Sequence, residues 1–133
     1  MKIAALICVA AFAATTPGCT APRWAAGKEM VMTELYFGTA RPGGTAVSEA
    51  EWQAFLDTEI TPRFPDGLTV MEGAGQWRTR QGEVVREKTR ILAIVHSPTR
   101  ENEFRLETLR TLYRQRFGQE AVLKVATPVR ASF

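Results

Sequence analysis

The sequence predicts an α+β fold in which four strands and two helices follow one another as β-α-β-β-α-β. Three observations support this: runs with alternating apolar residues, two segments with apolar residues at helical spacing, and a polar turn joining the second and third runs directly. Right-handed crossovers turn this order into a ferredoxin-like sandwich. We expect one four-stranded antiparallel sheet, with its first and third strands central and both helices on one face.

The first predicted strand covers residues 29–38, where side chains of different character alternate. One side carries Val31, Thr33, Leu35 and Phe37, and the other carries two methionines, a glutamate and a tyrosine. Successive side chains of a strand point to opposite faces, so each face of this strand is largely apolar. This pattern indicates a central strand.

The first helix is predicted to begin at Ser48, because Ser48 and Glu51 have the spacing of a capping box. The prolines that follow end this helix. Its apolar residues recur at i, i+3, i+4 and i+8 and form one stripe: Trp52, Phe55, Leu56 and Ile60. We expect the stripe to lie on the sheet, with Trp52 in the core.

A long hairpin is predicted between the two helices, with strands at residues 68–78 and 84–96. Gly73 and Gly75 suggest either a bulge or a close approach of another group to the backbone, and we expect this first strand of the hairpin at a sheet edge. The second strand is charged at first and then almost wholly apolar over residues 91–95. We expect that apolar half to be buried on both faces.

The second helix is predicted at residues 101–117, with Gly118 as its C-terminal stop. Phe104 lies outside the apolar face and either packs at a subunit contact or folds over the helix start. The last strand is predicted at residues 121–127, where Pro128 either ends it or confines it to an edge. The apolar face of the helix consists of Leu106, Leu109, Leu112, Tyr113 and Phe117.

This arrangement leaves the second face of the sheet open. Because that face has apolar content, we expect a partner, a second copy in a homodimer, or the N-terminal segment to cover it.

Length and composition indicate one globular domain, at residues 29–133. The chain has 133 residues, of which 45% are hydrophobic and 23% charged, enough apolar content for a core. The formal charge of +3 comes from 17 basic and 14 acidic residues that are interspersed along the chain. This pattern is typical of a solvated surface, and we expect no nucleic-acid partner.

The N-terminus has the order of a secretory signal: a lysine, an apolar run over residues 3–14, then small residues before Cys19. We expect a lipoprotein-type signal peptide at residues 1–19 and a linker at residues 20–28. Lipidation of Cys19 would tether the exported protein to the envelope membrane on its periplasmic side. Simple cleavage after an alanine and an uncleaved anchor are the alternatives.

The hairpin and its neighbours carry the candidate binding residues. Strand pairing would bring an arginine, a glutamate and a tryptophan onto one face, where they could hold an anionic or flat ligand. The alternative is an Arg-Glu ion pair that shields a structural Trp. His96 is interpreted as a buried end-of-strand histidine, with a general base as the alternative. The full candidate set is Tyr36, Gln76, Trp77, Arg78, Arg86, Glu87 and His96.

Several kinds of site are not indicated. One histidine and one cysteine beyond the leader are too few for a zinc site, so we expect no metal. The glycines of a nucleophile elbow flank neither Ser48 nor Ser97. Because the Gly73–Gly75 run lacks an ensuing helix, it does not fit a dinucleotide fingerprint, and we expect no cofactor.

Several short motifs are spread over the chain. They are YFG at 36–38, VSEAEW at 47–52, TPRFPDGLTV at 61–70, GQWR at 75–78 and FGQ at 117–119. With these motifs the chain resembles an uncharacterised bacterial family, domain of unknown function 3574. The resemblance implies no activity, but it implies a lipoprotein-type leader.

Two functions agree with these features. The first is an exported, membrane-tethered envelope module that binds a small ligand or a protein. The alternative is a small cofactor-free enzyme of the dimeric α+β-barrel type, with an arginine or His96 at the sheet for acid-base work.

Overall fold

The structure is a computed structural model that describes residues 26–133. The predicted signal peptide at residues 1–19, its Cys19 and residues 20–25 of the linker lie outside the described residues. The elements are β1 (Lys28–Gly38), α1 (Glu49–Phe55) with a π-helical continuation (Leu56–Ile60), β2 (Thr69–Arg78), β3 (Val84–His96), α2 (Arg100–Phe117) and β4 (Leu123–Ala131).

The four strands form one sheet in the order β2-β3-β1-β4, and every neighbouring pair is antiparallel. This is the predicted ferredoxin-like sandwich, with β1 and β3 central. Both β2 and β4 are edge strands. β4 continues through Pro128 to Ala131, beyond its predicted end, because an edge strand tolerates a residue without a backbone N–H.

The core lies between the sheet and the two helices and is rich in aromatic rings. The Phe37 ring lies 5.4 Å from the Trp52 ring and 4.6 Å from the Tyr113 ring, measured between centroids. Phe55 packs edge-on to Tyr113 at 5.2 Å. Such tilted pairs add about 0.5–1.5 kcal/mol each beyond the area they bury, so this cluster holds both helices to β1.

The predicted capping box is present at the start of α1. The Ser48 hydroxyl accepts from the Glu51 amide, and the Glu51 carboxylate accepts from the Ser48 amide at 2.9 Å. Arg41 donates to the same carboxylate at 2.8 Å. The Arg41 guanidinium and the Ser48 donors lower the pKa of Glu51 to about 2, so the cap stays charged at neutral pH.

Arg90 connects α1 to the edge strand β2. Its guanidinium is buried, forms ion pairs with Glu49 and Glu72, and lies 5.9 Å from the centre of the Trp52 ring. Burial of an arginine requires such compensation. The Arg90 side chain therefore tethers the start of the helix over the core.

The helix α2 presents its predicted apolar face to the sheet. Leu106, Leu109, Tyr113 and Phe117 are buried, and Gly118 ends the helix with a φ of +66°. Phe104 is 73% exposed, which agrees with its position outside the apolar face. None of the helices within residues 26–133 has the length and apolarity needed to cross a membrane.

The opposite sheet face has no helix over it in the described part of the chain. The expectation that residues 91–95 are buried on both faces is wrong: Ile91 and Ala93 are half-buried, and Val95 is 37% exposed. Because both helices pack on the same face, alternate residues of β3 point away from the core. The apolar side chains exposed on this face are Met32, Met71, Trp77, Val95, Leu123 and Val125.

Candidate functional site

The strand register divides the predicted site residues between the two sheet faces. Trp77 pairs with Val85 and Gly75 with Glu87, while Tyr36 pairs with Ile91. Residues directly across a ladder share a face, and β3 residues with odd numbers point away from the core. Tyr36, Trp77 and Glu87 therefore lie on the open face.

Three other predicted residues lie on the opposite face. Gln76 pairs with Arg86 and accepts from its Nε at 3.3 Å, and Arg78 donates to the Gly82 carbonyl at 3.1 Å. The expected convergence of an Arg, a Glu and a Trp is wrong, because neighbours in an extended strand point to opposite faces. The alternative, a cross-strand Arg-Glu ion pair that shields a structural Trp, does not form at Trp77 either, because within residues 26–133 neither Arg78 nor Arg86 pairs with a carboxylate.

His96 also points towards the helices and is 8% exposed. Its Nδ1 lies 2.9 Å from the Ser97 carbonyl, and its Nε2 lies 2.9 Å from the Thr33 hydroxyl. Because a carbonyl can only accept, Nδ1 carries the hydrogen and, in the neutral ring, the hydroxyl donates to Nε2. This matches the structural interpretation and places the imidazole away from the open face.

The open face contains a groove of about 770 Å³ at the end where β1 stops and β3 begins. Trp77 and Val85 border it at one end, Tyr36 and Ile91 at the other. Val85 and Ile91 are six positions apart along β3, so the two rows lie about 20 Å from each other. The side wall consists of residues 41–44 and 118–121, and the floor is formed by small residues, namely Gly38, Gly73, Gly75 and Thr89.

At two positions of the floor, glycine leaves room for a neighbouring side chain. A Cβ on Gly75 would collide with the Thr89 hydroxyl, and a Cβ on Gly38 would collide with the Glu87 carboxylate. Since the β2–β3 ladder is continuous through Gly73 and Gly75, the glycines mark a close approach rather than a bulge. A depression therefore crosses the sheet between the row of Trp77 and Val85 and the row of Tyr36 and Ile91.

Buried hydrogen bonds hold the side wall. The Tyr113 hydroxyl donates to the Gly38 carbonyl at 2.9 Å, and the Gln119 side-chain amide donates to the Ala40 carbonyl at 2.5 Å. Burial raises the pKa of Tyr113, and the negative charge of Glu87 raises it further. The tyrosine therefore remains a neutral donor at neutral pH.

Glu87 lies in the middle of the groove with one oxygen free to bind. Its Oε2 accepts from the Ala40 amide at 2.6 Å. Within residues 26–133, Oε1 accepts no hydrogen bond, and no lysine or arginine lies within ion-pairing distance of either oxygen. The carboxylate thus offers an acceptor to anything that enters.

The remaining charges around the groove are mostly acidic. Glu83 and Glu120 line it, and Arg41 is its only basic residue among residues 26–133. Arg41 is already paired with Glu51, and its guanidinium lies 5.1 Å above the Phe117 ring. At the far end the Tyr36 hydroxyl donates to Glu34 at 3.2 Å; partial burial and this carboxylate raise the pKa of Tyr36. Overall, the lining is negative.

Sequence reasoning missed the groove floor. Gly73 and Gly75 stand two residues apart on one strand, so they had to share a face, and this spacing was a usable signal. The contribution of Gly38 depends on its position beside Thr89 across β1 and β3, which the sequence does not give.

In the described range 26–133 no three His, Cys, Asp or Glu side chains are grouped as metal ligands would be.

Solved structures resemble this chain in fold. A phage SAM lyase in complex with S-methyl-5'-thioadenosine has a TM-score of 0.60 and 13% identity, over 77% of this chain and 90% of that one. Its apo state gives 0.56 and 14%, over 79% and 92%. CutA from Synechococcus elongatus PCC7942 complexed with Bis-Tris gives 0.50 and 12%, over 81% and 88%. At these identities the likeness shows the fold alone.

No sequence among curated proteins matches the chain significantly. The family described as protein of unknown function (DUF3574) matches residues 32–133, which is nearly the whole folded domain. The chain therefore belongs to the DUF3574 family, as its sequence motifs indicated.

Proposed function

We propose that this protein is an exported, membrane-tethered envelope module that binds a small ligand in the groove of the open sheet face. The main evidence for this proposal is the groove itself. Its volume of about 770 Å³ lies within the range of small-molecule sites. It combines aromatic and aliphatic walls with the Glu87 carboxylate, a mixture of apolar surface and a few polar groups that fixes a ligand's orientation in such sites.

Export and tethering are supported by the leader sequence. A charged start, an apolar run and small residues before Cys19 follow the order of a secretory signal. Several acyl chains on one N-terminal cysteine would anchor the domain stably, whereas one chain binds only marginally.

Lipidation gives a direct test of the tether. Mass spectrometry of protein purified from membranes is expected to find Cys19 as the first residue, with the added mass of its acyl chains. A Cys19→Ala variant, which keeps the apolar run of the leader, should lose both the added mass and the membrane attachment. An unacylated N-terminus downstream of Cys19 in the unmodified protein would remove the tether from the proposal.

A groove-filling substitution tests ligand binding. A Cβ on Gly73 would lie 3.4 Å from the Ile91 side chain, an ordinary contact, so Gly73→Val should fold and project its methyl groups into the groove. Thr69→Val is the matched control, because Thr69 lies on the same strand and face but outside the groove.

The full chain, purified in a neutral detergent, would be screened by intrinsic-fluorescence melting against nucleosides, amino acids, pyridine amides and carboxylic acids. We expect a compound that raises the melting temperature of the unmodified protein and of Thr69→Val but not that of Gly73→Val. Saturation at 100 times the Kd would stabilise the folded state by about 2.7 kcal/mol. A full response in Gly73→Val, or no response in any protein, would contradict the proposal.

Nucleosides belong in the screen because the phage SAM lyase of similar fold was solved with S-methyl-5'-thioadenosine. That likeness transfers no residue and no reaction to this chain. The alternative enzyme relied on arginine or histidine at the open face, and no observation favours it because Arg78, Arg86 and His96 point to the other face. Self-association through the rest of the open face stays a prediction.

A further inference from the structure

We infer that the groove selects organic cations, with the positive charge beside Glu87 and a flat or apolar body in the space that extends from Trp77 towards Tyr36. This inference rests on the proposed function and names its ligand class. It reverses the sign of charge that the sequence indicated, because the arginines of the hairpin strands β2 and β3 lie on the other face.

The position of Glu87 is the first argument. Along β3 it stands two residues from the Val85 row and four from the Ile91 row, so its carboxylate lies inside the groove rather than at its rim. Oε2 accepts from the Ala40 amide at 2.6 Å, and Oε1 accepts no hydrogen bond from any residue in the described part of the chain. A half-buried carboxylate that accepts one hydrogen bond from a neutral donor is stabilised more by a cation than by a second neutral donor, because hydrogen bonds between charged groups are stronger.

The balance of charges is the second argument. An anion in the groove would meet Glu87 together with Glu83 and Glu120. The guanidinium of Arg41 does not offset them, because its Nη2 donates to Glu51 at 2.8 Å. Like charges in a partly closed site repel strongly enough to reject an anion, whereas a cation is attracted by all three carboxylates.

The aromatic walls are the third argument. Trp77 is 46% exposed on the open face, unlike Trp52, which is 3% exposed in the core. Indole is the best cation-binding ring among the side chains, and Tyr36 offers a second ring at the far end of the groove. An exposed indole, a half-buried phenol ring and a carboxylate in one cavity are the combination that binds ammonium, pyridinium and similar groups.

A purely structural role for Glu87 makes a different prediction. If Glu87 served only to hold the Ala40 amide, Glu87→Gln would change nothing, because the glutamine side-chain oxygen can accept the same hydrogen bond. If Glu87 recognises charge, this substitution keeps the wall in place and removes the preference for cations. The control is Glu101→Gln on α2, which changes the net charge equally but lies outside the groove.

Three probes with the same ring separate charge from shape: 1-methylnicotinamide is a cation, nicotinamide is neutral and nicotinate is an anion. Their affinities for the full chain in a neutral detergent would be measured by ligand-observed saturation-transfer NMR. We expect the cation to bind about tenfold more tightly than nicotinamide, and nicotinate to bind most weakly. Glu87→Gln should bring the cation to the affinity of nicotinamide, while Glu101→Gln should keep the difference.

Trp77→Ala provides a second variant. It should weaken the binding of the cation more than that of the neutral probe, because it removes a ring that can contact the positive charge. The ring is partly exposed, so its removal leaves the core intact. If all three probes bound with equal affinity and Gly73→Val abolished their binding, the preference for cations would be contradicted, but the proposed ligand binding in the groove would be supported. Tighter binding of nicotinate, an unchanged preference in Glu87→Gln, or a screening hit without any probe binding would also overturn the inference. Failure of both screen and probes would remove the proposed function too.

Discussion

Replacing Trp52 by alanine should lower the free energy of unfolding by about 3–5 kcal/mol, the usual cost of truncating a large buried ring. Trp52 is 3% exposed and contacts the rings of Phe37 and Tyr113. Its ring also lies under the buried guanidinium of Arg90, so truncation weakens the packing of α1 and of the arginine together. Urea unfolding followed by circular dichroism measures the loss.

The matched control is Trp77→Ala, which removes the same atoms from a ring that is 46% exposed on the open face. We expect that control to lower the unfolding free energy by clearly less, about 1–2 kcal/mol, because the Trp77 side chain buries only about half of its surface on folding. Similar losses for the two variants would contradict the assignment of Trp52 to the core and Trp77 to the groove. Since small domains are stable by only about 5–15 kcal/mol, Trp52→Ala should also be visibly less stable on heating.

Placing an alanine at Gly75 should destabilise the protein by about 1–3 kcal/mol, the typical cost of overpacking. The new Cβ would collide with the Thr89 hydroxyl, which lies across the β2–β3 ladder in the groove floor. Thr89→Ala removes that oxygen, so the double variant should recover most of the loss. Unfolding free energies of the two single variants and the double variant form a cycle that isolates the contact.

Gly73→Ala is the control for this cycle, because its Cβ would meet only the Ile91 side chain at 3.4 Å. An ordinary contact of this kind, together with the reduced freedom of the unfolded chain, should leave stability unchanged or slightly improved. The close approach of the Thr89 hydroxyl to Gly75 would be contradicted if Gly75→Ala were as stable as Gly73→Ala, or if Thr89→Ala did not restore the stability of Gly75→Ala.

The order of the elements followed from the sequence because the signals that set it are local. The capping box at Ser48, the terminal Gly118 and the alternation along β1 each act within a few residues, and all three have the predicted role. Boundaries were predicted less well where a tertiary neighbour decides them. β4 runs past Pro128 because it lies at an edge, a fact that depends on how the strands pair.

The candidate site was located in the correct segment but on mixed faces. Tyr36, Trp77 and Glu87 do line one groove, yet their predicted partners Arg86 and His96 point to the helices. A one-residue step along a strand reverses the face, so a set chosen by position in the chain divides between the two faces.

The class of fold, the order of strands and helices and membership of the DUF3574 family could be predicted from the amino-acid sequence, because hydrophobic periodicity, caps and motifs are properties of short segments. The tertiary structure alone decided that Gly38, Gly75 and Glu87 meet at the floor of one groove, and that the groove is acidic. These residues lie on three different strands, and only the pairing of those strands brings them together.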